Sequence, residues 1–305
     1  MATYALSRAL WIVAVLLGVA TITFLLMHLV PGGPWDREKK LPAHVVENLN
    51  RRYGLDDPLW RQYGAFLAGA VRGDLGVSYT YQDREVTEII RQGLPATVTL
   101  GSLAFLLAVG PGILLGVAAA FKRNAVVDFL SATLGPVFAS IPGFVLGILL
   151  VVVLSVDWHV LPTGGWGSPS QVVMPAIALA ALPMAFIARM TRASVLEELD
   201  KDYVRTARAK GLPAHTVQYR HVLKNASIPV LTVLGPELAA LITGSFIIET
   251  VFSVPGIGRL FVQGVFQRDY GLIMGIVLFY AFVVAVLNLA VDLLYGIVDP
   301  RIRRP

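Results

Sequence analysis

Three ionisable side chains lie inside or at the edge of otherwise apolar stretches: His28, Glu237 and Asp292. An ionisable group at membrane depth is costly, and by default it is a candidate for proton or ion handling. His28 and Asp292 fall near the ends of their stretches, within reach of water or headgroups, which leaves Glu237, beside Pro236, as the deep one. A lone carboxylate there either satisfies a kinked backbone, lines a hydrophilic path or drives ion coupling. Other chemistry is scarce. The chain has no G-x-x-x-x-G-K-[ST] phosphate loop, no H-E-x-x-H and no G-x-S-x-G, and Gly73-Asp74 has no second aspartate within an apolar stretch to complete an intramembrane aspartyl pair. Zero cysteines exclude disulfides, thiolate metal sites and a cysteine nucleophile. Catalysis by this chain is not expected, so the energy for any pumped movement has to come from a partner or an ion gradient.

A different kind of chemistry, docking, is written in the stretch Asp202-Tyr203-Val204-Arg205-Thr206-Ala207-Arg208-Ala209-Lys210-Gly211-Leu212. Asp202 reads as an N-cap, Tyr203–Lys210 uses good helix formers, and Gly211 with Pro213 is a stop signal, so a rigid helix of about two turns, roughly 12 Å long, is expected. Tyr203, Ala207 and Lys210 fall on one face, Arg205 and Arg208 on another. Small residues permit close approach and arginines pair with acidic rims, which suits a groove on a cytosolic partner. The competing reading is a solvated basic linker.

The elements that must hold this segment are membrane spans. Hydrophobic types make up 56% of the 305 residues and charged types only 15%. Stretches 9–35, 92–121, 129–156, 158–188 and 270–291 carry no Asp, Glu, Lys or Arg, and 225–248 carries only Glu237. Each is long enough for a bilayer core, which needs about 20 apolar residues. The expectation is an all-α membrane protein with six transmembrane helices, at about 10–30, 97–121, 129–156, 172–188, 228–248 and 272–291, the fourth continuing past Arg189. Pro111, Pro136 and Pro142 inside spans suggest a packed bundle. Stretch 9–35 exceeds a signal-peptide core and reads as a retained span. Orientation follows from the cations. Arg8, Lys122, Arg123, the eight between Arg189 and Lys224, and Arg301, Arg303 and Arg304 all fall on one side, whereas the two short opposite loops hold only Arg259 and Arg268. Both termini and the 189–227 loop are therefore placed in the cytosol. The net charge of +5 reads as orientation in a membrane, with no nucleic-acid partner.

Three domains are expected: 1–30, a tail and first span; 31–95, an external segment of short amphipathic helices; and 96–305, a five-helix core with the cytosolic loop 189–227. Within 31–95, Val45, Val46 and Leu49 share a helix face, Asp57-Pro58 starts a helix, and Asp83 precedes Val86, Ile89 and Ile90 at helical spacing. These pieces are expected to lie along the membrane surface or cover neighbouring helices. Gly164-Gly165-Trp166 and the turn at Pro255-Gly256 face outward in this topology, either toward an external partner or simply as turn and interface-belt residues.

Asp202–Leu212, followed by Asn225-Ala226-Ser227-Ile228-Pro229, resembles the EAA loop of bacterial ABC-importer permeases in its peptide-transport variant. The resemblance runs along nearly the whole chain, through Val30-Pro31-Gly32-Gly33-Pro34, Tyr53-Gly54-Leu55-Asp56, Gly73-Asp74-Leu75-Gly76, Glu249-Thr250-Val251-Phe252-Ser253-Val254-Pro255-Gly256-Ile257-Gly258 and Arg268-Asp269-Tyr270. The chain resembles the first of the two permease subunits of an oligopeptide or dipeptide importer. It departs from the general pattern where Arg205 stands at the glutamate position and Thr206 at the first alanine, so a salt bridge of that glutamate is not carried over. The resemblance implies the type I importer permease fold and a multi-pass protein of the bacterial plasma membrane. It further implies a different permease as heterodimer partner, two ATP-binding cassette ATPases that hold ATP and magnesium, an extracytoplasmic peptide-binding protein and a peptide cargo; no cofactor is implied in this chain. Residues 202–212 would couple to the ATPases, Gly164, Gly165, Trp166, Pro255 and Gly256 would face the binding protein, and Glu237 would line the pathway. The alternative is an ion-coupled secondary transporter built around Glu237.

Overall fold

A computed structural model of the chain describes residues 2–35, 42–81, 84–122 and 140–298. The helices, in chain order, are α1 (Ala2–Leu29), α2 (Ala43–Tyr53), α3 (Leu59–Val71), α4 (Val86–Phe121), α5 (Gly143–Leu150), α6 (Pro169–Leu199), α7 (Asp202–Ala209), α8 (Leu223–Ile242), α9 (Phe246–Val251), α10 (Ile257–Phe266) and α11 (Tyr270–Val298). Among the described residues the only β pairing is an isolated antiparallel bridge between Val77 and Glu85. Among the described residues, five helical stretches are long and apolar enough to cross a bilayer: Leu10–Leu29, Val86–Phe121, Pro169–Leu199, Ala214–Val251 and Tyr270–Val291. The expected third span lies partly outside the described residues; its visible part is α5, which widens into a π-type turn over Val151–Asp157.

Two boundaries differ from the sequence expectation. The external helix at Val86 and the second span are one 36-residue helix, because Pro95 is absorbed without a break. Of the two expected placements the structure takes the second: Val86, Ile89 and Ile90 cover neighbouring segments, buried against Ile257, Leu272 and Ile276. The fourth span continues past Arg189 as expected, and it ends at Leu199. Its start is fixed by a capping box between Ser168 and Gln171, with Pro169 at the first position, where a missing N–H costs nothing. The fifth apolar stretch is interrupted: the backbone turns at Gly244 (φ 79°), and Ser245 restarts the helix by accepting a bond from the Ile248 N–H at 3.3 Å.

One compact unit comprises Met1–Thr97 with Pro255–Leu289. Here the C-terminal end of α1 packs through Phe24 and Met27 on Ile273 and Met274 of α11, with Tyr63 and Phe66 of α3 alongside. The second unit comprises Val98–Val254 with Ala290–Pro305. In it α4 approaches α6 at Gly112 and Gly116; a Cβ added at Gly116 would sit 2.5 Å from the Ala188 carbonyl oxygen and 2.6 Å from Thr191 Cβ. This is the small-x-x-x-small spacing that lets membrane helices touch along their backbones.

Candidate functional site

The expected docking segment folds as α7, a helix of eight residues. It begins one residue earlier in its turn than expected: Lys201 is the N-cap, and Asp202 sits in the first turn. There the carboxylate meets the positive end of the helix dipole, and Arg208 meets the negative end. Leu212 N–H bonds back to the Ala207 carbonyl at 3.3 Å and Gly211 N–H to that of Arg208 at 2.9 Å. Closing the helix this way puts Gly211 at φ 77°, a left-handed conformation that favours glycine.

Two residues bury the inner face of α7. Val204 is fully buried and Ala207 nearly so, in a cluster with Ala120 at the end of α4, Val195 on α6, Val217 and Val222 in the lead-in to α8, and Ala226 on α8. Burying a valine side chain contributes about 1.5–3 kcal/mol. Ala207 is thus turned into its own chain, because it stands one turn after Val204 and follows it into the core. The small residue presented outward is Ala209, together with Asp202, Arg205, Thr206, Arg208, Lys210, Gly211 and Leu212. Arg205 and Asp202 pair at 3.5 Å in full exposure, which fixes little.

Tyr203 lies between the two faces and ties three segments together. Its hydroxyl donates to the Glu198 carboxylate at the end of α6 and accepts from Asn225 Nδ2 at the start of α8, at 3.0 Å. Burial, and then the bond to Glu198, push the Tyr203 phenol above its ordinary value, so it stays a neutral donor at neutral pH. Lys201 reaches back to Glu198 at 2.5 Å, and this bond holds the exposed ammonium above its ordinary value. A force on α7 is therefore passed through packed side chains and one hydroxyl to the ends of α4, α6 and α8.

Residues 112–304 match the family described as binding-protein-dependent transport system inner membrane component, and residues 1–101 match the N-terminal family of the same membrane components. The chain belongs to this family of inner-membrane permeases. It is a transport component and not an enzyme, and its place is the inner membrane. The permease is 42% identical over 303 residues to the dipeptide transport system permease protein DppB of Bacillus subtilis (strain 168), covering 99% of this chain and 98% of that one. It is 40% identical over 305 residues to the oligopeptide transport system permease protein OppB of Escherichia coli (strain K12), covering 99% and 100%. In fold it matches a solved methionine ABC transporter, MetNI, in its inward-facing form, with a TM-score of 0.56 at 18% identity over 69% of this chain and 96% of that one. A crystal structure of an amino acid ABC transporter with histidines matches with a TM-score of 0.55 at 20% identity, over 68% and 93%.

The other sequence-predicted residues of the permease are not gathered at α7. Gly164 and Gly165 are occupied internally: Gly165 N–H bonds to the Phe252 carbonyl at 2.8 Å, and a Cβ on Gly164 would lie 2.6 Å from that same oxygen. Trp166 is half-buried beside Leu103 and Leu107. Pro255 is exposed, while Gly256 is buried as the N-cap of α10. Glu237 is half-buried on α8 next to Pro236; one residue before the proline, Gly235 lets α8 meet Val291, where a Cβ would come within 2.4 Å. His28 stacks against Phe24 with ring centroids 4.2 Å apart.

One residue of consequence is assigned no role by the sequence reading. Asp269 is fully buried and accepts from the Ser78 hydroxyl, from the backbone N–H groups of Tyr79 (3.0 Å) and Thr80 (2.9 Å), and from Leu272 N–H (3.0 Å). It caps α11 and holds the 77–81 loop with one carboxylate. Burial, and then the negative charge of Asp269, push the Tyr79 phenol well above its ordinary value. The local half of this was readable, since an Asp just before an apolar helix is a cap signal. The half that reaches about 190 residues back along the chain was not.

Proposed function

We propose that the permease is one of two different permease subunits of an ATP-driven importer of oligopeptides or dipeptides, and that α7 is its contact with cytosolic ATPases. The observation that carries this reading is the seating of α7: eight residues packed on the ends of three long helices, clamped by Tyr203 and presenting Arg205, Thr206, Arg208 and Ala209 outward. The names of the full-length relatives support the cargo. In this reading the chain crosses the membrane six times with both termini in the cytosol. It forms half of the pathway, with a second permease as heterodimer partner. Residues 1–30 are the first span, 31–95 the external segment, and 96–305 the core with its 189–227 loop.

Two ATP-binding cassette ATPases hold ATP and magnesium, and an extracytoplasmic peptide-binding protein delivers the cargo. Closure of the ATPases moves α7, and α4, α6 and α8 follow because their ends are packed on it. The pathway turns outward, and hydrolysis and release reset it. Asp202–Leu212 carry the coupling, Glu237 lines the path, and Gly164, Gly165, Trp166, Pro255 and Gly256 lie on the side that receives the binding protein.

The test is to purify the permease with its co-assembling subunits and measure ATP hydrolysis with empty and with peptide-loaded binding protein. Stimulation by the loaded protein is expected; equal hydrolysis in both cases refutes the reading. A cysteine placed at Lys210 should react with an impermeant thiol reagent only after the cells are opened. Labelling in intact cells reverses the topology. Uptake into ATP-loaded vesicles should survive a protonophore, whereas collapse would return Glu237 to ion coupling.

A further inference from the structure

The unit formed by Met1–Thr97 and Pro255–Leu289 contains a pocket of about 270 Å³ bounded by the C-terminal end of α1, the turn between α2 and α3, α3 itself and the start of α11. Its lining includes the rings of Phe24, His28, Tyr53, Tyr79 and Tyr270. The rings follow one another as a band: from Tyr53 through Tyr79, Tyr270 and His28 to Phe24, successive centroids are 4.7, 6.3, 5.5 and 4.2 Å apart. The band is held from behind. Tyr53 and Tyr79 both pack on the Trp35 ring, at 5.5 and 5.7 Å, and Trp35 Nε1 donates to Asn50 Oδ1 at 2.8 Å. The turn is held as well, because Gln62 Nε2 donates to the carbonyls of Leu55 at 3.1 Å and Asp57 at 2.8 Å. Rings and turn are therefore in place before anything binds.

Among the described lining residues the fixed charges are Asp57 and Arg61. They pair with each other through Oδ1 and Nη1 at 3.4 Å, with side chains 47% and 65% exposed. An ion pair this open contributes little, and it spends one carboxylate oxygen and one of the five guanidinium N–H donors. His28 Nδ1 lies 2.8 Å from the Phe24 carbonyl, which can only accept, so the Nδ1–H donates and the neutral ring keeps Nε2 as an acceptor. Aromatic faces attract an ammonium through the ring quadrupole. The pocket thus offers an ammonium ring faces and acceptors, and offers an anion a guanidinium one helical turn along α3 from Asp57. A short zwitterion answers both halves, whereas an anion alone meets the Asp57 carboxylate and the ring faces.

We propose that this pocket holds the headgroup of an ammonium-bearing phospholipid, with the ammonium against the Tyr53, Tyr79 and Tyr270 rings and Asp57 and the phosphate on Arg61. The source follows from where the pocket lies. Phe24 and His28 belong to the last turns of the apolar span Leu10–Leu29, and headgroups sit at the ends of spans. Beside them Leu25, Leu26 and Leu29 are 50%, 59% and 75% exposed, an apolar track along which acyl chains can lie. A soluble zwitterion carries the same two charges and gains nothing from that track. The proposal requires that α1 cross the membrane and does not depend on the cargo.

The experiment uses the permease purified in detergent with its co-assembling subunits, titrated with phosphatidylethanolamine or with phosphatidylglycerol of the same acyl chains and read by native mass spectrometry. The wild type is expected to bind one ethanolamine lipid about tenfold more tightly than the glycerol lipid. Asp57→Asn and Tyr53→Leu should each abolish that preference, Arg61→Gln should weaken both lipids, and Glu47→Gln, on the exposed face of α2, should change neither. Thermal midpoints in the glycerol lipid report that each variant is folded. Equal affinity of the wild type for the two lipids overturns the proposal, as does a preference that survives both Asp57→Asn and Tyr53→Leu. Displacement of the lipid by a peptide but not by its N-acetylated form overturns it and assigns the pocket to the cargo's ammonium. Weaker binding of the external binding protein by Asp57→Asn, with the lipid preference unchanged, overturns it in favour of a lysine of that protein.

Discussion

Replacing Tyr203 by phenylalanine removes one oxygen atom and leaves the ring in place. The oxygen donates to a carboxylate on α6 and accepts from Asn225 on α8, so both ties between α7 and its neighbours through this side chain are lost together. A hydrogen bond to a charged group contributes about 1.5–3 kcal/mol and a neutral one about 1 kcal/mol. The site is half open to water and Glu198 keeps its bond to Lys201, so roughly half of that sum, about 2 kcal/mol, is the expected loss. At about 1.4 kcal/mol per factor of ten, the opening equilibrium of α7 shifts about thirtyfold. Hydrogen–deuterium exchange of the assembled transporter in nanodiscs reads this directly, as about thirtyfold faster exchange over residues 203–212 with little change in α1 or α11. A loosened α7 should also waste ATP, raising hydrolysis per peptide imported. Unchanged protection over 203–212 would refute the claim that the hydroxyl is a clamp, and changed protection with an unchanged transport ratio would refute its mechanical role.

Other perturbations test separate parts of the same reasoning. Gly211→Ala places a Cβ in open space but at φ 77°, costing about 1 kcal/mol at the end of α7; membrane insertion should be normal and peptide-stimulated hydrolysis reduced. Gly116→Val forces α4 off α6 and should cost about 3 kcal/mol, seen as a lower thermal midpoint in detergent; an unchanged midpoint refutes the backbone contact. Asp269→Asn sets an amide NH2 donor against N–H groups that in the wild type meet a carboxylate acceptor, so trypsin should cut the region around Arg84 faster, while peptides of α6 are unaffected. The raised Tyr79 phenol is neutral in the folded protein at pH values where an unfolded tyrosine, ionising near about 10, is charged. The associated stability is present in full below that pH and is lost as pH climbs past it. In an absorbance titration of tyrosinate, Tyr79→Phe should remove the last component to appear.

Much of the scaffold was legible in composition and spacing. Apolar length located the spans, and the run Tyr203–Lys210 with Gly211 behind it located α7 to within a residue, because capping and helix propensity are local properties. The facing of α7 was misread at Ala207: its smallness suits a docking tip and a tight core equally, and only the positions of Ala120, Val195 and Val217 decide between them. The break at Gly244 was hidden for a similar reason, since a glycine among small residues serves close packing or a left-handed turn. Asp269 shows the general limit. Its cap on α11 is a neighbour relation, whereas its grip on Ser78 and Thr80 joins segments that only the folded chain brings together.

In the proposed contact with an ATPase, α7 would dock already folded. Ordering the backbone of a residue costs about 1–2 kcal/mol, so eight residues that became helical only on contact would subtract on the order of 10 kcal/mol from binding. Capped by Gly211, seated on Val204 and tied by Tyr203, α7 carries that cost within its own chain. The subunit interface can therefore stay small and still hold through a cycle of closure and release, with the lever moving as a solid piece while its grip is conserved.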